Sequence, residues 1–184
     1  VCEDRIEEIV MDLIKDSIRT IPHWPIKGVM FRDITTLLLK PDVFRHACDM
    51  LYDRYKDTAV DKIVSIDARG FIFGAVLAYR LGVGVALVRK KGKLPPETIQ
   101  KEYSLEYGTN VLEISKHALE KGEKVVIVDD LLATGGTVAA TVELVEMLGG
   151  EVVECAFIVE LPDLKGREKL KSYKLSAFTQ FEGE

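Results

Sequence analysis

Apolar residues recur at helical spacing over residues 3–19, where Ile6, Ile9, Val10, Leu13 and Ile14 fall between charges. That spacing predicts an amphipathic helix packed on the body of a domain. From Pro41 to about Lys56, Val43, Phe44, Ala47, Leu51 and Tyr55 make a second stripe, with a proline at the first turn and His46 on the polar side. Elsewhere the pattern changes from periodic to continuous. KIVSI (62–66), GVALV (84–88), VVIV (125–128) and the run from Val152 to Val159 are β-formers with little alternation. Such runs predict strands buried on both faces, as in a parallel sheet. Helical patterns follow the first run (Phe71, Ile72, Ala75, Val76, Leu77, Ala78) and the third (Val138 to Leu148, stopped by Gly149-Gly150). Strand and helix alternate, so the fold class is α/β, a central, mostly parallel sheet flanked by helices. Residues 173–181 add an edge strand and a tail.

Two segments break this rhythm. Residues 20–36 hold Pro22, Pro25 and Gly28, which exclude a helix, yet stay apolar at Ile21, Trp24, Ile26, Val29, Met30 and Phe31. A loop this apolar covers something: either the core edge, as a strap, or a flat apolar ligand, as a hood. Residues 89–110 open with Arg89-Lys90-Lys91-Gly92-Lys93-Leu94-Pro95-Pro96 and lack a strong core pattern, with patches of β-propensity at 98–103 and 111–114. A loop of this length in a compact domain is a candidate flexible lid, and its cations are either a solvated face or partners for an anion.

Composition narrows the class. The chain has 184 residues, 47 % hydrophobic and 30 % charged, which fits one globular domain over 1–184. No apolar run approaches the roughly 20 residues that span a bilayer, and the opening VCEDRIEE lacks the basic-then-apolar order of a secretion signal. Cys2, Cys48 and Cys155 are scattered and odd in number, which predicts free thiols in a reducing compartment. A net charge of −5 argues against broad nucleic-acid binding.

The chemistry concentrates in VVIVDDLLATGGT, residues 125–137. A buried strand ends on Asp129 and Asp130; a loop closes on Ala133-Thr134-Gly135-Gly136-Thr137, and a helix begins. Small residues and paired glycines let backbone N–H groups wrap an anion at the carboxyl edge of the sheet. Two carboxylates beside a phosphate cradle would repel a bare phosphate. They suit sugar hydroxyls or a divalent cation on the same ligand, and a ribose 5′-phosphate satisfies both halves. The plainer alternative is a buried strand with a polar glycine-containing turn. A second anion-ready corner is Asp67-Ala68-Arg69-Gly70, where Arg69 either forks two pyrophosphate oxygens or pairs with Asp67 or a strand end. The sequence offers neither G-x-x-x-x-G-K-[ST] nor G-x-G-x-x-G after a strand.

VVIVDDLLATGGT resembles the phosphoribosyl-diphosphate (PRPP) signature of the type I phosphoribosyltransferase family. P-x-x-G-V-x-F-R-D-I, D-x-R-G-F-x-F-G, R-K-x-G-K-L-P, Y-S-L-E-Y-G and V-E-L-x-x-L-K-G-R-E-K-L resemble the adenine-specific branch over nearly the whole chain. The resemblance implies transfer from PRPP to adenine, giving AMP and pyrophosphate in the cytoplasm. It implies the type I fold with a hood at 20–36, a flexible lid at 89–110 and the PRPP motif at 125–137. Asp129 and Asp130 would hold the ribose hydroxyls. Ala133, Thr134, Gly135, Gly136 and Thr137 would hold the 5′-phosphate, and Arg69, Arg89 and Lys93 the pyrophosphate. Phe31 and Leu161 would sandwich adenine, backbone groups at Met30 and Arg32 would read its edge, and Glu106 would act as acid–base group near N7. Mg²⁺ would ride mainly on PRPP, with no protein metal ligands. A homodimer, no nucleic acid, no membrane and a non-proline cis peptide near Asp67-Ala68 are further implications. The competing readings are a transferase for hypoxanthine, guanine or xanthine, and a non-catalytic PRPP-sensing regulator. The stretch SAFTQFEGE departs most from the family pattern.

Overall fold

The computed structural model describes residues 2–105 and 108–183. A seven-stranded sheet runs β5-β6-β4-β3-β7-β8-β9. Its strands are β3 (Lys62–Ile66), β4 (Gly84–Lys90), β5 (Thr98–Leu105), β6 (Gly108–Ser115), β7 (Lys124–Leu132), β8 (Glu151–Glu160) and β9 (Leu175–Gln180). The five from β4 to β9 in sheet order are mutually parallel, while β6 runs antiparallel to β4 and to β5. A separate two-stranded antiparallel ribbon joins β1 (Arg19–Pro22) to β2 (Met30–Asp33).

The continuous apolar runs form the centre. Val125 to Val128 are fully buried and alternate between two clusters. Val126 and Val128 face α1 (Cys2–Asp16), α3 (Pro41–Tyr55) and α4 (Gly70–Leu81); Val125 and Ile127 face α5 (Gly136–Met147). A short turn of helix, α2 (Thr35–Leu38), links β2 to α3. On α3 the predicted stripe is buried at Val43, Ala47, Leu51 and Tyr55, and Phe44 meets Phe73 edge-on, 5.7 Å between centroids. His46 is exposed. On α1 the stripe is narrower than predicted. Ile14 is buried and Val10 packs against the core, whereas Ile9 and Leu13 lie on the solvent flank. Residues 10 and 14 are stacked one turn apart, and 9 and 13 point about 100° away.

The segment 89–110 departs from its expected irregularity. Its described residues hold the end of β4, a turn and the β5–β6 hairpin, which extends the main sheet in register from Thr98↔Ser115 to Leu105↔Gly108. The β-propensity patches at 98–103 and 111–114 are the two arms of that hairpin.

Chain direction positions the site. From β3 the chain crosses through α4 to β4 on one side; from β7 it crosses through α5 to β8 on the other. The strand order therefore reverses between β3 and β7, and the crevice at their carboxyl ends is where ligands bind in open α/β sheets.

Candidate active site

Two turns face each other across that crevice. Asp67 follows β3, its peptide bond to Ala68 is cis, and Arg69 leads into α4. Opposite, β7 runs four residues beyond its apolar core, so Asp129 and Asp130 belong to the strand and Asp129 pairs with Phe157 of β8. The two turns touch because residue 70 is glycine. A Cβ there would lie 2.8 Å from both Asp129 Oδ1 and the Val128 carbonyl oxygen.

Arg69, Asp129, Asp130 and Thr137 line one cavity of about 340 Å³, together with Asp67, Lys90, Tyr103 and Asn110. A niche of about 80 Å³ adjoins it, lined by Asp129 and residues 131–138. The loop Ala133–Gly136 wraps this niche, and Gly135, at φ +75°, turns the chain into α5. The first-turn N–H groups of α5 have no carbonyl four residues back, and that turn carries no acidic residue. An anion is the complement of such an end. The Thr137 hydroxyl donates to the Tyr103 hydroxyl at 3.3 Å, which joins the β5 arm to the loop.

Charge in the crevice is arranged in pairs. Arg69 Nε donates to Asp130 Oδ2 at 2.5 Å, and Arg89 Nε to Asp67 Oδ2 at 2.9 Å. Arg89 also donates to the Lys93 carbonyl at 2.9 Å. Burial and the neighbouring Asp130 charge raise the Asp129 carboxyl well above the ordinary aspartate range. Burial pushes the Arg69 pKa down, but Asp130, with Asp129 beyond it, outweighs this and the net shift is upward.

Other expected residues lie apart from this cavity. Phe31 sits on the β1–β2 ribbon with Trp24 edge-on against it, 4.4 Å between centroids. Met30 and Arg32 flank it on β2. Leu161 follows β8, is buried in the helix-side core and donates its N–H to the Leu132 carbonyl at 2.9 Å. The Lys93 side chain is exposed. Glu106 lies outside the described residues. A cavity of about 700 Å³ between α1, α3 and β9 holds none of the expected substrate-binding residues.

Two supporting carboxylates carry no role in the sequence reading: Glu113 lies outside every motif, and Glu160 lies inside V-E-L-x-x-L-K-G-R-E-K-L without an assigned part. Glu113 on β6 is buried and accepts the N–H groups of Lys93 and Leu94, each at 2.9 Å, so it fixes the basic turn after β4. Burial pushes its pKa up, and these donors more than reverse that, leaving it below the ordinary value. Glu160 is buried at the end of β8 and takes the Arg167 guanidinium as a fork at 2.6 and 2.8 Å. The available signal was an acid set directly among apolar residues, in VLEI and in FIVEL.

Comparison with known proteins places this geometry. Residues 33–181 match the phosphoribosyl transferase domain family. The adenine phosphoribosyltransferase of Desulfosudis oleivorans is 64 % identical over 174 residues, covering 95 % of this chain and 100 % of that protein. The chain belongs to the adenine phosphoribosyltransferase family. The Geobacter metallireducens member is 56 % identical over 93 % of this chain and 100 % of its own length. The crystal structure of the Thermoanaerobacter pseudethanolicus enzyme matches at TM-score 0.90 and 51 % identity, over 93 % of this chain and 99 % of that one. The Saccharomyces cerevisiae adenine phosphoribosyltransferase, solved with an imino-altritol bisphosphate and adenine, matches at 0.88 and 38 % identity, over 94 % and 99 %. The family's mixed α/β fold, a sheet with helices on both faces, is the architecture described above.

Proposed function

We propose that the crevice between β3 and β7 binds PRPP and that the protein transfers its phosphoribosyl group to adenine, yielding AMP and pyrophosphate for purine salvage. One observation carries this: Arg69, Asp129, Asp130 and Thr137 meet in a single cavity at the sheet's switch point, beside an anion-ready helix end.

The roles follow from charge and geometry. The loop N–H groups and the Thr134 and Thr137 hydroxyls hold the 5′-phosphate in the niche. Asp129 and Asp130 accept from the ribose hydroxyls. Arg69, Arg89 and Lys93 receive the pyrophosphate as bond cleavage at C1′ makes it more negative. No side-chain nucleophile is required, because the base nitrogen attacks; the chain aligns two substrates and excludes water. Phe31 and Leu161 flank adenine, Met30 and Arg32 read its edge through backbone groups, and Glu106 hydrogen-bonds or protonates N7. The segment 89–110 serves as the lid.

Among the described residues no cluster of three His, Cys, Asp or Glu side chains is placed to hold a metal. Of the three carboxylates at the cavity, Asp130 is engaged by Arg69 and Asp67 by Arg89, which suits Mg²⁺ that arrives on PRPP and keeps its waters. It would offset pyrophosphate charge. A homodimer is supported by exposed apolar side chains: Tyr79 on α4 is 87 % exposed and Leu39 81 %, and Val85 and Leu87 on β4 are each more than a third exposed. The buried thiols of Cys48 and Cys155, neither in a disulfide, suit the cytoplasm.

The test is pyrophosphate release with PRPP, Mg²⁺ and each purine base in turn. Release with adenine alone is expected. Release with a 6-oxopurine would overturn the base assignment, and tight PRPP binding without release would overturn catalysis.

A further inference from the structure

The residues that follow β9 reach both walls assigned to the base. Arg32, next to Phe31, lies over the Phe181 ring, 4.7 Å from guanidinium carbon to centroid, and donates to the Glu182 carbonyl at 3.3 Å. Its other amino group donates to the Thr20 hydroxyl at 2.7 Å, within the same ribbon. On the far side, the Phe181 N–H donates to the carbonyl of Glu160, the residue before Leu161, at 3.1 Å. The Gln180 amide donates to the Glu160 carboxylate at 3.0 Å, and the Gly183 N–H to Asp163 Oδ2 at 2.7 Å. Lys15 of α1 also approaches the Phe181 ring, 5.5 Å from its centroid.

We propose that Gln180–Gly183 is a clasp that sets the gap between Phe31 and Leu161, and that Phe181 is a positioning residue for adenine. The physical argument is one of tethering. The β1–β2 ribbon is not part of the main sheet, so side chains must fix its distance from β8. A two-stranded ribbon has little stability of its own. Phe181 supplies the fix from a backbone already hydrogen-bonded to Glu160. Its ring face takes the Arg32 cation, and the Glu182 carbonyl takes an Arg32 N–H. Phe181 itself makes no assigned contact with substrate. It acts through Arg32 and the strand that carries Phe31. Stacking on a flat base is sensitive to the spacing of its two walls, so loosening the clasp weakens adenine more than PRPP. The 5′-phosphate niche is built on the β7–α5 loop and meets the clasp at Glu160, whose carboxylate takes both Arg167 and the Gln180 amide, so a change confined to the Phe181 ring leaves it in place.

This inference rests on the assignment of Phe31 and Leu161 to the base. The experiment is steady-state kinetics on four proteins: wild type, Phe181→Leu, Phe181→Tyr and Phe31→Ala. Leucine keeps apolar packing and removes the ring face; tyrosine keeps both. Phe181→Leu is expected to raise the KM for adenine about fivefold, the scale of one cation–π contact. Its kcat and PRPP KM should stay within about twofold, a split that general loosening of the fold would not give. Phe181→Tyr should restore the wild-type adenine KM. An unchanged adenine KM in Phe181→Leu, or a parallel rise in both KM values, would overturn the clasp. Phe31→Ala separates the two levels. If it raises the adenine KM while Phe181→Leu does not, the clasp fails and the base assignment stands. If it leaves the adenine KM unchanged, the base assignment fails and the clasp with it.

Discussion

Gly135 and Gly166 face each other so closely that neither position has room for a side chain. A Cβ on Gly135 would lie 2.5 Å from the Gly166 carbonyl oxygen, and one on Gly166 would lie 2.3 Å from the Ala133 carbonyl oxygen. The turn between β8 and β9 is thus the back wall of the loop assigned to the 5′-phosphate. Bidentate pairing of Arg167 with buried Glu160 holds that wall in place. Gly166→Ala is expected to push the loop off its cradle geometry, raising the PRPP KM by about tenfold or more, since a small misplacement of a binding group costs that much. The adenine KM at saturating PRPP should change little. Equal effects on both substrates would show a general defect rather than a loop-specific one.

Asp129 links affinity and stability with opposite signs. Its folded-state pKa is raised by burial and by Asp130. Such a group favours the folded state below its unfolded pKa of about 3.9, and that contribution is lost as pH rises through the raised value. Asp129→Asn removes the titration and is expected to raise the Tm at neutral pH, with the gain shrinking toward acid. As an acceptor for ribose hydroxyls, however, Asp129 must be ionised. PRPP affinity should therefore fall as pH drops through the raised value, with proton release on binding growing over the same range. Calorimetry in buffers of different ionisation enthalpy reads that proton directly. A PRPP affinity and proton release that stay flat as pH is lowered would contradict the assignment.

How much of this was legible in the sequence follows from the range of the forces involved. The strands at 62–66 and 125–128 and the helix from 41 were readable because continuous and periodic burial leave local patterns. The strand–loop–helix unit at 125–137 was readable because a continuous buried run, a stretch of small residues with paired glycines and a helical stripe each leave a local pattern. The Arg69–Asp130 pair was not. Each residue stands in a legible turn, Arg69 as a partner for pyrophosphate or for Asp67, but their 61-residue separation hides the contact, and Asp67 goes to Arg89 instead. The 89–110 segment shows no strong core pattern in the sequence because its hairpin alternates weakly at a sheet edge. The clasp at Gln180–Gly183 left no local signal, since its hydrogen-bond partners lie 20 to 150 residues away.

Glu113 should show the ordinary acid dependence. Its folded pKa is lowered, because the donors from Lys93, Leu94 and Thr98 outweigh burial. Its contribution is therefore full above the unfolded value of about 4.3 and disappears as pH falls through the lower folded one. Glu113→Gln leaves two buried-side N–H groups with a weaker acceptor and is expected to cost about 1–3 kcal/mol near neutrality. Denaturant unfolding across pH should find the difference from wild type shrinking below about pH 4. A constant difference would mean that shape, not charge, carries the effect.

Arg69 is the last point where pairing and function compete. In the free protein its Nε is committed to Asp130, whose side chain is almost fully buried, while half of Arg69 remains exposed. A planar guanidinium can keep one edge on Asp130 and offer the other to pyrophosphate; an ammonium cannot fork in this way. Arg69→Lys is therefore expected to hold the fold, because a cation still neutralises Asp130, and to lower kcat/KM for PRPP about tenfold. Arg69→Ala would in addition leave Asp130 buried without its partner and lower stability by about 1–3 kcal/mol. Thermal melts and PRPP kinetics on the two variants separate the roles. If lysine performs as well as arginine in both assays, the fork is not used and Arg69 serves only to balance the Asp130 charge.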